Sequence, residues 1–252
     1  MAEVLNPIEG EVFYVDKPLH WTSFYVVKRI RGVLQKRLGI KKLKVGHAGT
    51  LDPLATGVLI LCTGRATKRI DELQAHVKEY VATLRLGATT PSFDLETEVD
   101  ATYPWEHIGR EQVERVLQER FTGSIEQVPP AFSACKVDGK RAYKMARKGR
   151  EVELKAKMLV IDEIELLDFD LPSLTIRVVC SKGTYIRALA RDIGEALGSG
   201  AHLTALRRTR VGAVDEERCS TVDALMRRLE EAEYVPVEEA LAAMQGKNAE
   251  AQ

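Results

Sequence analysis

A single carboxylate, Asp52, stands on a loop rich in glycine and proline. It lies in the stretch GHAGTLDPLATGVLILCTGRATK, which runs from Gly46 to Lys68. Pro53 follows directly and biases Asp52 towards an extended backbone, and the apolar run Val58–Cys62 comes next. A loop ahead of a buried strand can hold a functional side chain on a rigid support. Because Asp-Pro is also a common turn dipeptide, a plain Asx-type turn is the alternative interpretation.

The motifs of several other chemistries are missing from the sequence. No G-x-S-x-G motif indicates acyl transfer, and no GxxxxGK[ST] loop indicates phosphate binding. The histidines form no H-x-x-x-H pair, and the cysteines form no C-x-x-C pair; these cysteines are Cys62, Cys135, Cys180 and Cys219. Two paired carboxylates would suggest glycoside hydrolysis, but here one stands alone. We therefore expect chemistry that uses one carboxylate, for example as a nucleophile, with no metal and no cofactor.

Composition indicates an ordinary globular protein. The chain has 252 residues, 45% of them hydrophobic and 29% charged, which suits one large domain or two small ones. The longest clean apolar run, Val58–Cys62, is too short to span a bilayer. The N-terminal residues lack the pattern of a signal peptide. We therefore expect a cytoplasmic protein without a membrane association.

The charged residues are segregated along the chain, although the net charge is zero. Residues 28–44 carry eight Lys/Arg and no acid, and residues 136–157 carry nine Lys/Arg against three acids. From residue 215 onward there are ten acids against four bases. Two basic clusters and the LRRTR run at Leu206–Arg210 favour a polyanionic partner such as nucleic acid. Solvated helix faces are the simpler alternative for any one cluster.

Hydrophobic periodicity predicts strands mixed with helices. Thr22 or Ser23 can cap a helix whose apolar face is Val27, Ile30, Leu34 and Leu38. The segment KEYVATLRLG alternates as a half-buried strand does, with Tyr80 on the same face as Leu84. Helical stripes recur at 110–121 and 186–197, and residues 174–180 alternate as another strand. Because strict βαβ alternation is absent, we predict an α+β fold around a mainly antiparallel mixed sheet flanked by helices.

Five ordered segments resemble the bacterial tRNA pseudouridine-55 synthases, the TruB family. The most specific is KVGHAGTLDPLATGVLILCTGRATK; the others are YVDKPLHWTSFYVVKRI, KEYVATLRLGATTPSFDLETE, QVPPAFSACKVDGKRAYKMARKGREVEL and CSKGTYIRALARDIGEALGSGAHLTALRRTRVG. Together they cover about residues 11–212. The resemblance implies a pseudouridine synthase fold with a basic, thumb-like insertion at about 127–157.

The same resemblance implies an isomerisation of a uridine at position 55 in the T loop of tRNA. The base would be flipped out, its N1–C1′ bond cleaved, and the base rejoined through C5 without metal or cofactor. The implied partner is tRNA through its T arm, and we expect a monomer. The alternative is a tRNA-binding folding chaperone whose catalysis is incidental or lost.

The resemblance also implies roles for individual residues. Asp52 would be the catalytic aspartate, Arg187 its cationic partner, and Tyr80 the ring that stacks on the target base. The residues implied to contact the substrate are His47, Tyr185, Leu206 and Lys17, with Lys17 in a motif beside the site. The predicted contacts to the RNA backbone are Lys41, Lys42, Lys44, Lys136, Lys140, Arg141, Lys144, Arg147, Arg207 and Arg208.

The chain departs from many family members after residue 212. We predict a catalytic domain at 1–212 and a short acidic tail at 213–252 that is helical and packs on that domain. Many members continue into a small PUA-like RNA-binding domain, and we expect none here, because the forty or so residues that follow are too few and too acidic.

Overall fold

The computed structural model describes residues 4–133, 135–137, 140–142, 145 and 154–249. Its helices are α1 (Ser23–Leu38), α2 (Ile70–Ala75), α3 (Arg110–Phe121), α4 (Ile186–Ala196), α5 (Val222–Glu231) and α6 (Val237–Ala249), with 3₁₀ helices at Gly64–Arg69 and Glu216–Arg218. Across these residues no helix combines the length and the apolar character needed to cross a membrane.

The strands alternate with the helices along the chain. They are β1 (Val4–Leu5), β2 (Val12–Lys17), β3 (Val45–His47), β4 (Ala55–Thr63), β5 (Lys78–Leu86), β6 (Ala88–Thr89), β7 (Ala101–Thr102), β8 (Gly123–Gln127), β9 (Lys136–Val137), β10 (Lys140–Arg141), β11 (Lys157–Asp170), β12 (Ser173–Cys180), β13 (Ala201–Val211), β14 (Val214–Asp215), β15 (Ser220–Thr221) and β16 (Glu233–Tyr234). Helices and mainly antiparallel strands confirm the expected α+β class.

The chain divides into two compact units. We call residues 1–76 with 208–252 the terminal unit, and residues 77–207 the central unit. The boundary falls inside strand β13, between Arg207 and Arg208.

Strand β4 is the centre of the terminal unit. It pairs antiparallel with β2 and β3, and β2 also pairs in parallel with β15. Leu59 and Leu61 enter an apolar cluster with α1 and α5, whereas Val58 and Ile60 enter a second cluster on the opposite face. Burial on both faces explains why the run Val58–Cys62 is continuously apolar.

Helix α1 begins and ends where its sequence predicts. Thr22 caps its N-terminus by accepting a hydrogen bond from the Tyr25 backbone N–H at 3.0 Å. Gly39 ends it in the left-handed conformation, at φ 66°. The buried face of α1, which includes Ile30 and Leu34, packs against residues of α5.

The described residues after 212 form no sheet of their own, because β14, β15 and β16 each pair with an earlier strand. The division of the chain into a catalytic domain and a tail at residue 212 stays a prediction.

The central unit is built on an antiparallel sheet in the order β5-β12-β11-β8. Tyr80 on β5 stands opposite Val178 on β12. Helix α3 contacts β11 and buries Val113, Leu117 and Phe121, as its helical stripe predicts. Helix α4 carries the GTYIRAL segment at its N-terminus.

The predicted insertion at about 127–157 lies partly outside the described residues, which omit 134, 138–139, 143–144 and 146–153 of it. Strands β9 and β10 pair antiparallel within it, and they contain Lys136, Lys140 and Arg141. Lys144 and Arg147 lie outside the described residues. The proposed contacts of these five side chains with RNA therefore stay predictions.

Candidate active site

The loop that carries Asp52 connects β3 to β4 in the terminal unit, and backbone hydrogen bonds hold it at several points. The Ala48 N–H donates to the Ile60 carbonyl at 2.9 Å, and the Ala55 N–H donates to the Asp52 carbonyl at 3.0 Å. Just after the loop, in β4, Gly57 adopts φ +100°, and a Cβ there would meet the Arg208 carbonyl at 2.1 Å. Only glycine fits this position, since both the conformation and the space exclude a side chain.

Lys17 lies at the end of β2 and is fully buried, with 0% of its surface exposed. Its Nζ donates to the carbonyls of Pro18 at 2.9 Å and of Trp21 at 2.6 Å. Burial lowers the pKa of the Lys17 ammonium from 10.5 to about 8, and the negative charge of Asp52 opposes that shift. Lys17 therefore closes the turn at residues 18–21 and places a positive charge near Asp52.

His47 and Arg208 lie in the same unit as Asp52. Burial, and then the positive charge of Arg208, lowers the pKa of His47 below its usual value, so its ring is neutral at pH 7. The buried Nδ1 of His47 has no hydrogen-bond partner among the residues that the structure describes. A buried polar atom of this kind is normally paired, and an ordered water or a bound ligand would serve as its partner.

Arg187 in the first turn of α4 is 5% exposed, so it is a buried cation and not a solvated surface charge. Its guanidinium donates to the carbonyls of Ser92 at 3.1 Å and of Phe132 at 2.9 Å, and its Nε lies 3.7 Å from Asp94 Oδ2. Asp94 in turn accepts from the Ser92 hydroxyl at 2.6 Å. A buried cation in a network of this kind keeps a fixed orientation.

Tyr185 precedes α4 and is held by a buried amide. Gln127, only 1% exposed, accepts from the Tyr185 N–H at 2.9 Å and donates to the Tyr185 carbonyl at 3.2 Å. The Tyr185 hydroxyl lies 3.4 Å from Cys135 Sγ. Burial, and next the hydrogen bond with Cys135, raises the pKa of this hydroxyl well above its usual value, so it remains protonated. Gln127 thus fixes the backbone two residues before Arg187.

The remaining predicted contacts of the central unit lie on strands. Tyr80 is buried on β5, on the same face as Ala82 and Leu84, as the alternation predicts. Leu206 and Arg207 are half-buried on β13. Burial of Tyr80 suits both a core residue and a ring that stacks on a base, so its role stays a prediction.

A basic cavity of about 800 Å³ opens in the terminal unit, between the end of α1, the 3₁₀ helix at 64–69 and α6. Its cationic lining residues are Arg31, Lys41, Lys42, Lys44, Arg65 and Lys68. Among the described residues that line it there is no carboxylate, although Glu9 lies 3.7 Å from Arg65. Cations concentrated in this way attract a polyanion.

Comparison with known proteins identifies the family. A model of the TruB family pseudouridylate synthase N-terminal domain matches residues 35–186, and a model of the tRNA pseudouridylate synthase B C-terminal domain matches residues 187–244. The chain belongs to the TruB family of pseudouridylate synthases. It is therefore an isomerase with the pseudouridine synthase fold.

Individual TruB-family relatives are close in sequence and in structure. A Phocaeicola vulgatus protein named tRNA pseudouridine synthase B is 70% identical over 92% of this chain and 99% of its own length. Two solved structures share 30% identity: the Cbf5–Nop10–Gar1 complex, with a TM-score of 0.67, and an H/ACA ribonucleoprotein bound to a substrate RNA containing 2′-deoxyuridine, with a TM-score of 0.63. The match to the Cbf5–Nop10–Gar1 complex covers 90% of this chain and 60% of the matched chain. The match to the H/ACA ribonucleoprotein covers 88% of this chain and 54% of the matched chain.

Two residues of this TruB-family chain that are predicted to contact RNA or substrate are buried by the fold, and their predicted contacts stay predictions. Arg208, expected to bind the RNA backbone, is 1% exposed, and it donates to the carbonyls of Val58 at 2.8 Å and of Gly49 at 3.1 Å. Its guanidinium fastens the loop of Asp52 to β4. Lys17, expected to contact the substrate, has no exposed surface and serves the turn at 18–21.

Sequence reasoning missed the buried polar partners of the predicted residues. Ser92 and Asp94 lie in PSFDLETEVD, whose polarity predicts a loop but not a buried network. Gln127 lies just before Pro129-Pro130, and nothing local indicates that its amide is buried. Arg65 and Lys68 follow the Asp52 motif in GRATK, but only the fold brings them to the basic cavity.

Proposed function

We propose that this chain converts uridine to pseudouridine at position 55 in the T loop of tRNA, with Asp52 as the catalytic carboxylate. The observation that carries the proposal is the Asp52 loop itself, in which a lone carboxylate is held between two strands beside a buried cation. The choice of tRNA is supported by the name of the relative that is 70% identical.

The reaction is a rearrangement that balances within the substrate. The N1–C1′ bond breaks, a C5–C1′ bond forms, the proton on C5 departs and N1 acquires one. Asp52 can act by attack at C1′, by attack on the base, or by removal of the ribose 2′ proton. Each route requires the ionised carboxylate, which the nearby Lys17 charge favours. Tyr80 is proposed to stack on the base and to assist the C5 proton step.

The target base must leave the T loop before it can react, which costs a few kcal/mol of stacking and pairing. Phosphate contacts can offset that cost, and the basic cavity offers Lys41, Lys42 and Lys44 for them. The orphaned Nδ1 of His47 suits a contact with the extruded nucleotide. Affinity for RNA should accordingly fall steeply as salt rises.

The deciding experiment incubates the protein with an unmodified tRNA transcript and maps pseudouridine chemically. A transcript with cytidine at position 55 is the substrate control. Asp52→Asn should bind tRNA normally and form no pseudouridine, because an amide keeps the shape but neither attacks nor accepts a proton. Asp71→Asn, an exposed change on α2, is the matched control and should be fully active.

The same assay tests the chaperone alternative. If Asp52→Asn retains a rate within about tenfold of the parent, the catalytic assignment is wrong. If the parent binds and refolds tRNA without forming pseudouridine, the chaperone hypothesis replaces it. We also expect an isolated T-arm stem-loop to react, which would identify the T arm as the part of tRNA that the enzyme requires.

A further inference from the structure

The residue directly before Asp52 is clamped by one buried hydroxyl. Ser23 is 2% exposed, and its Oγ donates to the Leu51 carbonyl at 3.0 Å and accepts from the Leu51 N–H at 2.8 Å. One side-chain oxygen therefore satisfies both backbone polar groups of Leu51, whose own side chain is buried. Without this hydroxyl both groups would lack that partner in a dry environment.

Ser23 is well placed to act as a fixed point. It is the first residue of α1, and the helix is anchored by its buried face in the core of the terminal unit. The preceding turn contributes a second tie, because the His20 N–H donates to the Pro53 carbonyl at 2.7 Å. His20 adopts φ 66°, a conformation that residues other than glycine rarely take. The start of α1 thus holds the residues on both sides of Asp52.

We infer that Ser23 is a positioning residue for the isomerisation, and that its hydroxyl sets where the Asp52 carboxylate stands. The inference rests on the proposed function, since it concerns the rate of that reaction. Leu51 lies outside the strands, so once the clamp is lost this side of Asp52 depends on the more distant backbone bonds of the loop and on the tie between His20 and Pro53. A displacement of about 1 Å at a reacting group can lower a rate by about 100-fold.

The kinetic test compares Ser23→Ala with Thr22→Ala. Both changes remove one hydroxyl from the same turn of α1, but the Thr22 hydroxyl binds the Tyr25 N–H and makes no contact with Leu51. Ser23→Ala should lower the single-turnover rate roughly tenfold or more while the Kd for tRNA stays within about twofold. Thr22→Ala should lower the Tm without a comparable loss of rate. Ser23→Thr, which keeps the hydroxyl, should restore most of the rate.

Hydrogen exchange tests the clamp without reference to activity. The Leu51 amide should be protected in the parent and exchange about tenfold faster in Ser23→Ala, while the Ala48 amide, bonded to Ile60, stays unchanged. If Ser23→Ala does not fold, Ser23→Cys, whose thiol is a weak hydrogen-bonding group, is judged by the same criteria.

The outcomes separate the positioning role from the proposed function. If the parent protein forms no pseudouridine, the proposed function is wrong. Hydrogen exchange at the Leu51 amide still decides whether the clamp exists. An unprotected Leu51 amide in the parent overturns the inference. The inference is also overturned if Ser23→Ala and Thr22→Ala lose equal stability and their single-turnover rates fall by the same factor.

Discussion

Replacing Lys17 with methionine should change how the stability of this protein depends on pH. The Lys17 ammonium is fully buried, and burial lowers its pKa from 10.5 to about 8. Between these values the unfolded chain binds a proton that the folded protein does not. Stability therefore rises with pH across this window, because the penalty for the buried charge, complete below pH 8, is progressively relieved.

The magnitude follows from the two pKa values. A shift from 10.5 to about 8 corresponds to a penalty of about 3 kcal/mol near neutral pH. Most of that penalty disappears by pH 10, so the parent should gain about 2 kcal/mol relative to Lys17→Met between pH 7.5 and pH 10. At neutral pH the difference in unfolding free energy between the two proteins should be smaller than the penalty of about 3 kcal/mol, because two effects oppose each other. Methionine removes the buried charge, but it also leaves the carbonyls of Pro18 and Trp21 without their donor.

Urea denaturation of both proteins at several pH values measures this difference directly. Other groups that titrate above pH 8 are common to the two chains and cancel in the comparison. Lys36→Met, at an exposed position on α1, is the matched control and should follow the parent at every pH. Parallel curves for Lys17→Met and the parent would refute the buried, partly neutralised state of Lys17.

Three further changes test the central unit. Arg187→Lys keeps the charge but loses the planar fork that reaches Ser92 and Asp94. The single-turnover rate should therefore fall by about 100-fold with little loss of tRNA affinity, and an unchanged rate would show that Arg187 has no part in the reaction. Gln127→Leu should lower the free energy of unfolding by about 2 kcal/mol in urea titrations, and a loss of only a few tenths would show that the bonds to Tyr185 are weak. Tyr80→Phe retains the ring, so tRNA affinity measured by filter binding should be normal while turnover falls; full activity would leave stacking as its only role.

The elements with a clear period are the ones that the sequence predicts best. Thr22 and the apolar face of α1 agree with the expected helix, because capping and amphipathic burial act over a few neighbouring residues. Strand β5 follows its alternation for the same reason. The segment GSIEQVPP has the composition of a turn, yet its first five residues form β8, because pairing with β11 outweighs weak local propensity.

Arg208 shows that residue type alone does not indicate whether a charged side chain is buried. In LRRTR it has the same local character as Arg207, and the sequence predicts a contact with the RNA backbone for both. The fold buries Arg208 because the carbonyls of Val58 and Gly49 there require donors, and a guanidinium can supply several at once. Contacts of this kind join residues more than a hundred positions apart, so no local pattern indicates them.

In both units, buried side chains repeatedly serve as hydrogen-bond partners for backbone groups on loops. Backbone groups on irregular loops cannot form ladders, yet when they are buried they still need partners. Here buried side chains provide them, and the residues that do so are Lys17, Ser23, Arg208, Gln127 and Arg187. Each ties a loop of its own unit to a strand or helix, so these loops gain the rigidity of the core. A substitution at any of these positions should therefore change stability and rate together, and only single-turnover rates compared at matched stability can separate the two effects.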